Sequence, residues 1–509
     1  MTEHLQLIKQ HILNNKYTGI VCVLTLAALF LRLFHLGYNS ISGDEGYTVL
    51  FLSNGLEGVW NVMYIDGRPT PPLYYTLESI TLSFLGQGEF ALRLLSAIFG
   101  AFSIPLIYLL GKELLDKRAG ILAAGILTVL IYHIYYSQEA RCYTMLLFLF
   151  LIATLTYIRA MKTNQAKYWG IFALFSALVI WTHFIGCVGI GILFLHAILS
   201  ILLIRQYGNI RNLLFSILGI LLLVSPLLFV LLQVGSDIPS AATGWGIGSF
   251  FLPQTLLKMF NPSINTYTIL GGLFVVAALI CWFIGMRNLY KTDKNVLLLI
   301  SMLCILPLVF GEMVNILGFD VWPNHFIFIL PFFLIGIANC INFSPNPSTK
   351  KILTVLVLIG VLLYVICGFS GYYSTYTKDD WKGTADFLSN QTLEGDHIFG
   401  GETYYYNATA DKTSQHSLSL ETLKSMLPHG ANKTVSAYLV FSFDLSEPNI
   451  TEIASSGSPY LDKIISKIDT AGKGYTELIN WILQNTEEIA TFSSKSPYHE
   501  IHVHKVIVT

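Results

Sequence analysis

Residues 18–36 read TGIVCVLTLAALFLRLFHL, and residues 37–47 continue GYNSISGDEGY. The first stretch is apolar and long enough for one helical crossing of a bilayer, which takes about 20 residues. It has no short apolar core followed by a small-residue cleavage site, so it reads as an uncleaved anchor rather than a signal peptide. The second stretch sets two carboxylates, Asp44 and Glu45, between Gly43 and Gly46 at the membrane edge. A further acid, Glu139 in Tyr136-Ser137-Gln138-Glu139-Ala140-Arg141, follows two spans later. Acids gathered on one face, with bases beside them, suit chemistry at that face. The plain alternative is that juxtamembrane acids are simply solvated.

The pattern of the first stretch recurs along the chain. The 509 residues are 54% hydrophobic and only 12% charged, with a mean hydropathy of +0.60. Soluble domains carry about 25% charged residues. The chain therefore reads as a polytopic α-helical membrane protein. A net charge of −1 gives no electrostatic case for nucleic acid. Eleven spans are expected, near 18–36, 91–111, 119–136, 142–159, 168–183, 184–204, 212–232, 267–286, 296–317, 325–341 and 352–369. The stretch 168–204 is too long for one helix and divides at Thr182-His183.

Charge sets the orientation. With eleven spans, one set of loops holds fifteen basic residues, among them Lys117, Arg118, Lys350 and Lys351. The opposite loops, without the tail, hold four: Arg68, Arg93, Arg141 and Lys258. The positive-inside rule puts the fifteen in the cytoplasm. Residues 71–86 are apolar enough to suggest another span, but counting them would destroy this bias. They are expected to form a helix lying on or dipping into the outer leaflet. The N-terminus is then cytoplasmic. Residues 1–370 form the transmembrane domain, with a first outer loop at 37–90, and residues 371–509 lie outside a multi-pass cell-membrane protein.

The tail is polar and has no spanning run. Helices are expected near 379–389 and 418–426 and across 459–489, with strands near 396–400, 434–443 and 499–508. That makes an extracytoplasmic α/β domain of ordinary size. Four of its six asparagines, Asn390, Asn407, Asn432 and Asn449, stand in Asn-x-Thr acceptor sequences, which suit an outside location. The seven cysteines lie in or beside apolar runs, without zinc-type spacing, and read as small buried hydrophobes.

On this topology the candidate residues fall at outer helix ends. A carboxylate there can take a proton from an incoming hydroxyl, help worth about 10²–10⁴-fold. Asp44 suits the base role because its flanking glycines leave room, Glu45 can position substrate or hold Asp44, and Glu139 can line the same cavity. A metal-bound role for the acids stays open, although no histidines stand nearby at ligand spacing. Arg93 and Arg141 each begin a span, where paired guanidinium donors can grip a phosphate or simply snorkel. His183 and His325 also stand at outer helix ends, where a lone histidine is commonly structural. Tyr74 and Tyr75 follow a rigid Pro69-Thr70-Pro71-Pro72 segment and can line a sugar pocket or anchor among head groups. His502 and His504 in the tail are too few for a metal site.

Several segments occur in the order of a known family: Asp44-Glu45, Pro71-Pro72-Leu73-Tyr74-Tyr75, Ala91-Leu92-Arg93-Leu94, Tyr108-Leu109-Leu110-Gly111-Lys112, Arg118-Ala119-Gly120 and Tyr136 to Arg141. Here the chain resembles glycosyltransferases of the GT-C fold, in the branch of protein O-mannosyltransferases and lipid A aminoarabinose transferases. The resemblance is strongest over about 40–185. It continues weakly through Trp322 to Pro331 and Asp379-Asp380-Trp381-Lys382.

The resemblance implies a donor sugar, a mannose-like hexose or a pentose, on a polyprenyl phosphate such as dolichyl or undecaprenyl phosphate. It also implies a glycan, lipid or protein acceptor at the outer face of the lipid membrane. The acceptor attacks the anomeric carbon directly, usually with inversion. The resemblance gives Asp44 the base role and has Glu139 share the site; beside them Arg93, Arg141 and His325 stand as candidates for the donor phosphate, and Tyr74, Tyr75 and His183 as candidates for substrate contact. Two departures stand out. Many relatives have His where this chain has Thr70, and Arg-Tyr where it has His325-Phe326, and a neutral His grips phosphate less firmly than Arg. The main alternative is a transporter or flippase of lipid-linked glycans. It would favour midplane polar residues and paired repeats, and no repeat is evident. A catalytically silent receptor leaves Asp44, Glu139 and Arg141 unexplained.

Overall fold

The computed structural model describes residues 2–52, 55–62, 70–86, 88–204, 207–234, 251–263, 269–317, 321–374, 378, 380–392, 396–399, 414–416, 435–441, 487–492 and 501–508. The expected helix at 418–426, most of 459–489, Arg68, Pro69, Asp379, Asn407, Asn432 and Asn449 fall outside the described residues. The chain divides into two compact units. One holds Met1–Leu36, Phe51–Ala242 and Ser249–Gly371, and the other holds Gly37–Leu50, Thr243–Gly248 and Tyr372–Thr509.

The chain opens with α1 (Thr2–Leu33), followed by the short helices α2 (Gly43–Leu52), α3 (Gly55–Val62) and α4 (Leu73–Leu85). Next come α5 (Glu89–Leu114), α6 (Lys117–Val129), α7 (Ile131–Ser137), α8 (Tyr143–Thr163), α9 (Ala166–Thr182), α10 (Gly186–Ile204) and α11 (Ile210–Val234). Then follow α12 (Phe251–Phe260), α13 (Ile269–Thr292), α14 (Lys294–Ile316), a 3₁₀ turn at Pro323–Ile329, α15 (Leu330–Ala338), α16 (Pro347–Tyr373) and α17 (Trp381–Gln391).

Among the described residues, nine helices are long and apolar enough to cross a membrane, and the bent pair α6–α7 makes a tenth. Helix α9 is a shorter apolar helix. Each of the eleven stretches expected from the sequence is therefore helical, and the division at Thr182-His183 falls where α9 ends. Helix α4 has 13 residues. It is about 20 Å long, short of a hydrocarbon core of about 30 Å, as its reading as a non-spanning helix requires.

The spans differ in depth. Of the apolar window running through the 3₁₀ turn and α15, 94% is buried, against 11% for α16 and 17% for α1. The first is a central helix, and the other two turn most of their surface outward. Helices α5 and α6 cross at two glycines of the family segments. A Cβ on Gly111 would lie 2.8 Å from the Gly120 Cα, and one on Gly120 would lie 2.7 Å from the Tyr108 carbonyl oxygen. Such backbone contact admits only small residues.

The sequence reads 119–136 as one span, but the structure breaks it at Leu130 and bends it by 61°. Leu130 is extended, at φ −71° and ψ 114°. No proline or glycine stands at the break, so the cause is a side chain inserted into the helical ladder. A continuous helix would give the Leu127 and Thr128 carbonyls to the amides four residues on. Instead the fully buried Arg32 of α1 donates to Leu127 O at 3.1 Å and Thr128 O at 3.2 Å. The Ile131 amide donates to the Tyr364 hydroxyl of α16 at 3.3 Å. Arg32 also donates to Ser137 Oγ at 3.2 Å and reaches His133 Nδ1 at 2.6 Å on α7. Because arginine only donates, His133 accepts at Nδ1 and carries its proton on Nε2. In return Gln138, just past α7, donates to the carbonyls of Arg32 at 3.0 Å and Phe34 at 2.8 Å.

In the second unit, the strands are β1 (His397–Phe399), β2 (Ser414–His416), β3 (Val435–Phe441), β4 (Glu487–Phe492) and β5 (Ile501–Val508). They form one mixed sheet in the order β2-β1-β3-β5-β4. Strand β1 pairs in parallel with β2 and β3, whereas β5 runs antiparallel to β3 and β4. Helix α17 packs Trp381 and Leu388 onto Ile398, Tyr438, Ile501 and Val503. Three strands and α17 fall where the sequence puts them. The sequence gives no sign of strand β2, which is three residues without apolar alternation. Strand β4 overlaps the end of the expected helical stretch 459–489, because pairing with β5 overrides a weak local preference.

The Arg32 contacts generate a prediction. Arg32→Met keeps an unbranched apolar stem and removes the guanidinium with every donor. Buried polar groups left without partners cost about 1–3 kcal/mol each, so a loss of about 3 kcal/mol or more is expected. Thermal unfolding of the purified variant in detergent measures it, and an unchanged melting temperature would show that the break does not depend on Arg32.

Candidate active site

The two neighbouring acids have opposite surroundings. Asp44 stands exposed in the first turn of α2. Glu45 is fully buried, and its Oε2 accepts from the Ser42 amide at 2.9 Å, the Ser42 hydroxyl at 3.3 Å and Lys378 Nζ at 2.8 Å. The Glu45 amide donates back to Ser42 Oγ at 3.4 Å. Ser42 and Glu45 thus form a reciprocal N-terminal cap, the S-x-x-E pattern legible in Ser42-Gly43-Asp44-Glu45. Lys378 is 4% exposed. It immediately precedes the Asp379-Asp380-Trp381-Lys382 segment, which was the signal that could have found it. The Lys382 amide also donates to Ser40 Oγ at 3.1 Å, and Asp380 caps α17 through the Gly383 amide at 2.9 Å. Residues 40–45 are therefore stitched to the start of the tail within the second unit.

In the first unit, three of the expected residues converge. Arg141 lies in the loop between α7 and α8 and is half-buried. Its guanidinium carbon is 5.9 Å from the ring centre of Tyr143. The Tyr143 ring is 6.4 Å from His183, which caps α9, and 6.1 Å from His325 in the 3₁₀ turn. The two histidine rings are 4.9 Å apart. His325 Nδ1 accepts from the Trp322 amide at 3.4 Å, and Lys258 of α12 stands 5.8 Å from the Trp322 ring. Tyr143 is the residue that sequence reasoning missed, hidden in an apolar run two positions after Arg141. Glu139 is 3% exposed in the same loop, and its carbonyl accepts from the Arg141 amide at 2.8 Å.

Three other expected residues turn inward. Tyr74 and Tyr75 on α4 are buried, at 0% and 1% exposure. The Tyr74 hydroxyl lies 2.9 Å from Ser96 Oγ, which itself donates to the Arg141 carbonyl at 3.0 Å. Tyr74 therefore donates to Ser96, and the chain of bonds ends on the Arg141 backbone. Burial, with the Glu78 carboxylate adding to it, holds the Tyr74 hydroxyl pKa well above the ordinary phenol value, so it stays a donor. Tyr75 packs edge-on against Phe51 at 5.3 Å. Arg93 is 1% exposed, and its Nη1 donates to Leu36 O at 3.0 Å, beyond the end of α1. Among the described residues, no three His, Cys, Asp or Glu side chains gather as metal ligands.

The arrangement places a cation, two imidazoles and aromatic faces at one end of a helical bundle, where an anionic group can be gripped. Residues 69–229 match the family model described as dolichyl-phosphate-mannose-protein mannosyltransferase. ArnT from Cupriavidus metallidurans in the apo state has a similar fold, with a TM-score of 0.60 at 12% identity, covering 96% of this chain and 98% of that one. A structure of the same ArnT bound to undecaprenyl phosphate aligns with a TM-score of 0.52, at the same identity and coverage. The oligosaccharyltransferase AglB from Archaeoglobus fulgidus, in complex with an inhibitory peptide and a dolichol-phosphate, gives 0.54 at 12% identity, covering 84% of this chain and 70% of that one. No curated protein sequence matches the chain. The fold is that of the GT-C membrane glycosyltransferases. Residues 69–229 are similar to the protein mannosyltransferase family model, and the fold is similar to that of ArnT over nearly the whole chain.

The buried Glu45–Lys378 pair can be tested apart from catalysis. Lys378→Met leaves a buried carboxylate without its counter-charge, which costs about 3–5 kcal/mol. Adding Glu45→Gln removes that charge and is expected to recover much of the loss. A double-mutant cycle on thermal unfolding measures the coupling, and additive effects would show that the pair contributes nothing.

Proposed function

We propose that this protein transfers a sugar from a polyprenyl-phosphate donor to an acceptor at the extracytoplasmic face of the cell membrane. The convergence of Arg141, Tyr143, His183 and His325 carries the reading. These residues come from separate segments and meet at one end of the bundle, giving a phosphate a guanidinium fork flanked by ring donors. Donor chemistry follows the relatives, whose structures hold undecaprenyl phosphate and dolichol-phosphate. The excess of basic residues in one set of loops supports a cytoplasmic N-terminus, an outward-facing Arg141 loop and an extracytoplasmic tail that shapes acceptor access.

The reaction is a displacement. The acceptor oxygen attacks the anomeric carbon, the carbon–oxygen bond to the lipid phosphate breaks, and polyprenyl phosphate leaves with the bonding pair. Asp44 is the proposed base for the acceptor proton, on the strength of the family resemblance and its exposed place in the first turn of α2. Glu45, capped and paired with Lys378, holds that turn. Glu139 and His183 line the donor side. Tyr74 acts through Ser96 on the Arg141 backbone, and Arg93 holds the end of α1.

The test is incorporation of label from a lipid-phosphate sugar into acceptor in membranes carrying variants. Asp44→Asn is expected to cut turnover by about 10²-fold or more while donor binding survives. Near-normal turnover in the folded variant would remove Asp44 from the mechanism. Arg141→Ala and Arg141→Lys should both weaken donor binding, since lysine cannot present the planar fork. Unchanged donor affinity in the alanine variant would remove Arg141 from the phosphate site.

A further inference from the structure

At the opposite end of the first unit, the starts of α6 and α16 line two adjoining depressions. One, of about 400 Å³, is walled by Arg118, Pro347, Lys350, Lys351, Thr354 and Val355. The other, of about 340 Å³, is walled by Tyr17, Asp116, Lys117, Arg118, Asn342 and Lys350. They share Arg118 and Lys350 and form one shallow, open groove.

Four cations line this groove with one acid. The acid is already engaged: Asp116 Oδ1 accepts from the Arg118 amide at 2.7 Å and the Ala119 amide at 3.0 Å, and its Oδ2 accepts from Asn342 at 2.7 Å. Lys117 stands 5.5 Å from the ring of Tyr17, and among the described residues no carboxylate pairs with Lys117, Arg118, Lys350 or Lys351. Other cations of the same loops behave differently. Arg159 and Lys162 are paired with Glu113, and Arg287 lies on the ring of Phe343. A general excess of basic residues on this side does not explain why four converge, without an acid partner, on a concave surface.

The surroundings name the anion. Thr354 and Val355 carry the groove onto the flank of α16, where Val355, Leu356, Ile359, Leu362 and Leu363 are exposed in a helix with the length and apolarity of a span. A soluble phosphate would use the cations and leave this apolar flank idle. We propose that the groove binds the phosphodiester headgroup of an anionic glycerophospholipid, with Arg118, Lys350 and Lys351 on the phosphate and an acyl chain along α16. Basic pockets between membrane helices commonly serve this purpose. The geometry is independent of the donor site.

The test uses the full chain in detergent, with phosphatidylglycerol and phosphatidylcholine of identical acyl chains. Bound lipid is measured by native mass spectrometry. The wild-type protein should hold phosphatidylglycerol about tenfold more tightly or better, given the usual strength of basic side chains towards anionic lipid. The triple variant Arg118→Gln, Lys350→Gln, Lys351→Gln should lose this preference. Removing the same charge elsewhere, with Arg287→Gln, Lys291→Gln and Lys294→Gln, should leave it intact. Lys350→Gln alone should show a partial loss and serves if the triple variant does not fold. Equal affinity of the wild type for the two lipids, or an equal loss in both triple variants, would overturn the site. Release of phosphatidylglycerol by millimolar inorganic phosphate would assign the groove to a soluble anion and overturn the lipid reading.

Discussion

The Arg32 guanidinium at the break between α6 and α7 is the contact on which much of the first unit depends. In a span no water is at hand to satisfy carbonyls freed by a bend, so the protein must supply the donors itself. Arg32 supplies them to Leu127 and Thr128, and the Tyr364 hydroxyl accepts the displaced Ile131 amide. The bend turns α7 away from the axis of α6. The chain leaves α7 through Gln138, which returns the favour by capping the end of α1. The loop carrying Glu139 and Arg141 follows directly, so its position is set from two sides before any substrate is present.

Support for Arg141 continues outward from that loop. Ser96 on α5 holds the Arg141 carbonyl, Thr144 holds the Ser96 carbonyl, and Tyr74 on α4 holds the Ser96 hydroxyl. A short non-spanning helix is thereby tied to the backbone of a proposed phosphate ligand. Such bonding fixes the main chain from which the half-buried Arg141 side chain projects, and so helps its guanidinium keep its aim.

The acidic pair shows a related division of labour. Neighbouring residues in a helix project about 100° apart, so Asp44 and Glu45 cannot share one environment. One faces outward, and the other turns in to meet Ser42 and Lys378. The buried partner fixes the turn from which its neighbour projects. Lys378 belongs to the far end of the sequence, so the first outer loop and the tail meet in the second unit.

The sequence by itself determined the membrane class, the helical character of all eleven apolar stretches, the non-spanning α4 and several tail strands. These follow from hydropathy over windows of about 20 residues and from short periodic patterns, which are local properties. It also brought out Arg141, His183 and His325, because polar residues at the ends of apolar runs are conspicuous. The tertiary structure alone decided which of them meet, and that Tyr143 stands among them. It decided that Tyr74, Tyr75 and Arg93 turn inward, where the sequence left a sugar pocket or head-group anchoring open for the tyrosines and a phosphate grip or snorkelling open for the arginine. It also decided that the third span breaks at Leu130, where no local breaker exists. The physical reason is the same in each case: the outcome depends on a partner remote in sequence, Arg32 for the break, Leu36 for Arg93, Ser96 for Tyr74 and Lys378 for Glu45. A hydrogen bond between distant residues leaves no mark in the periodicity of either one.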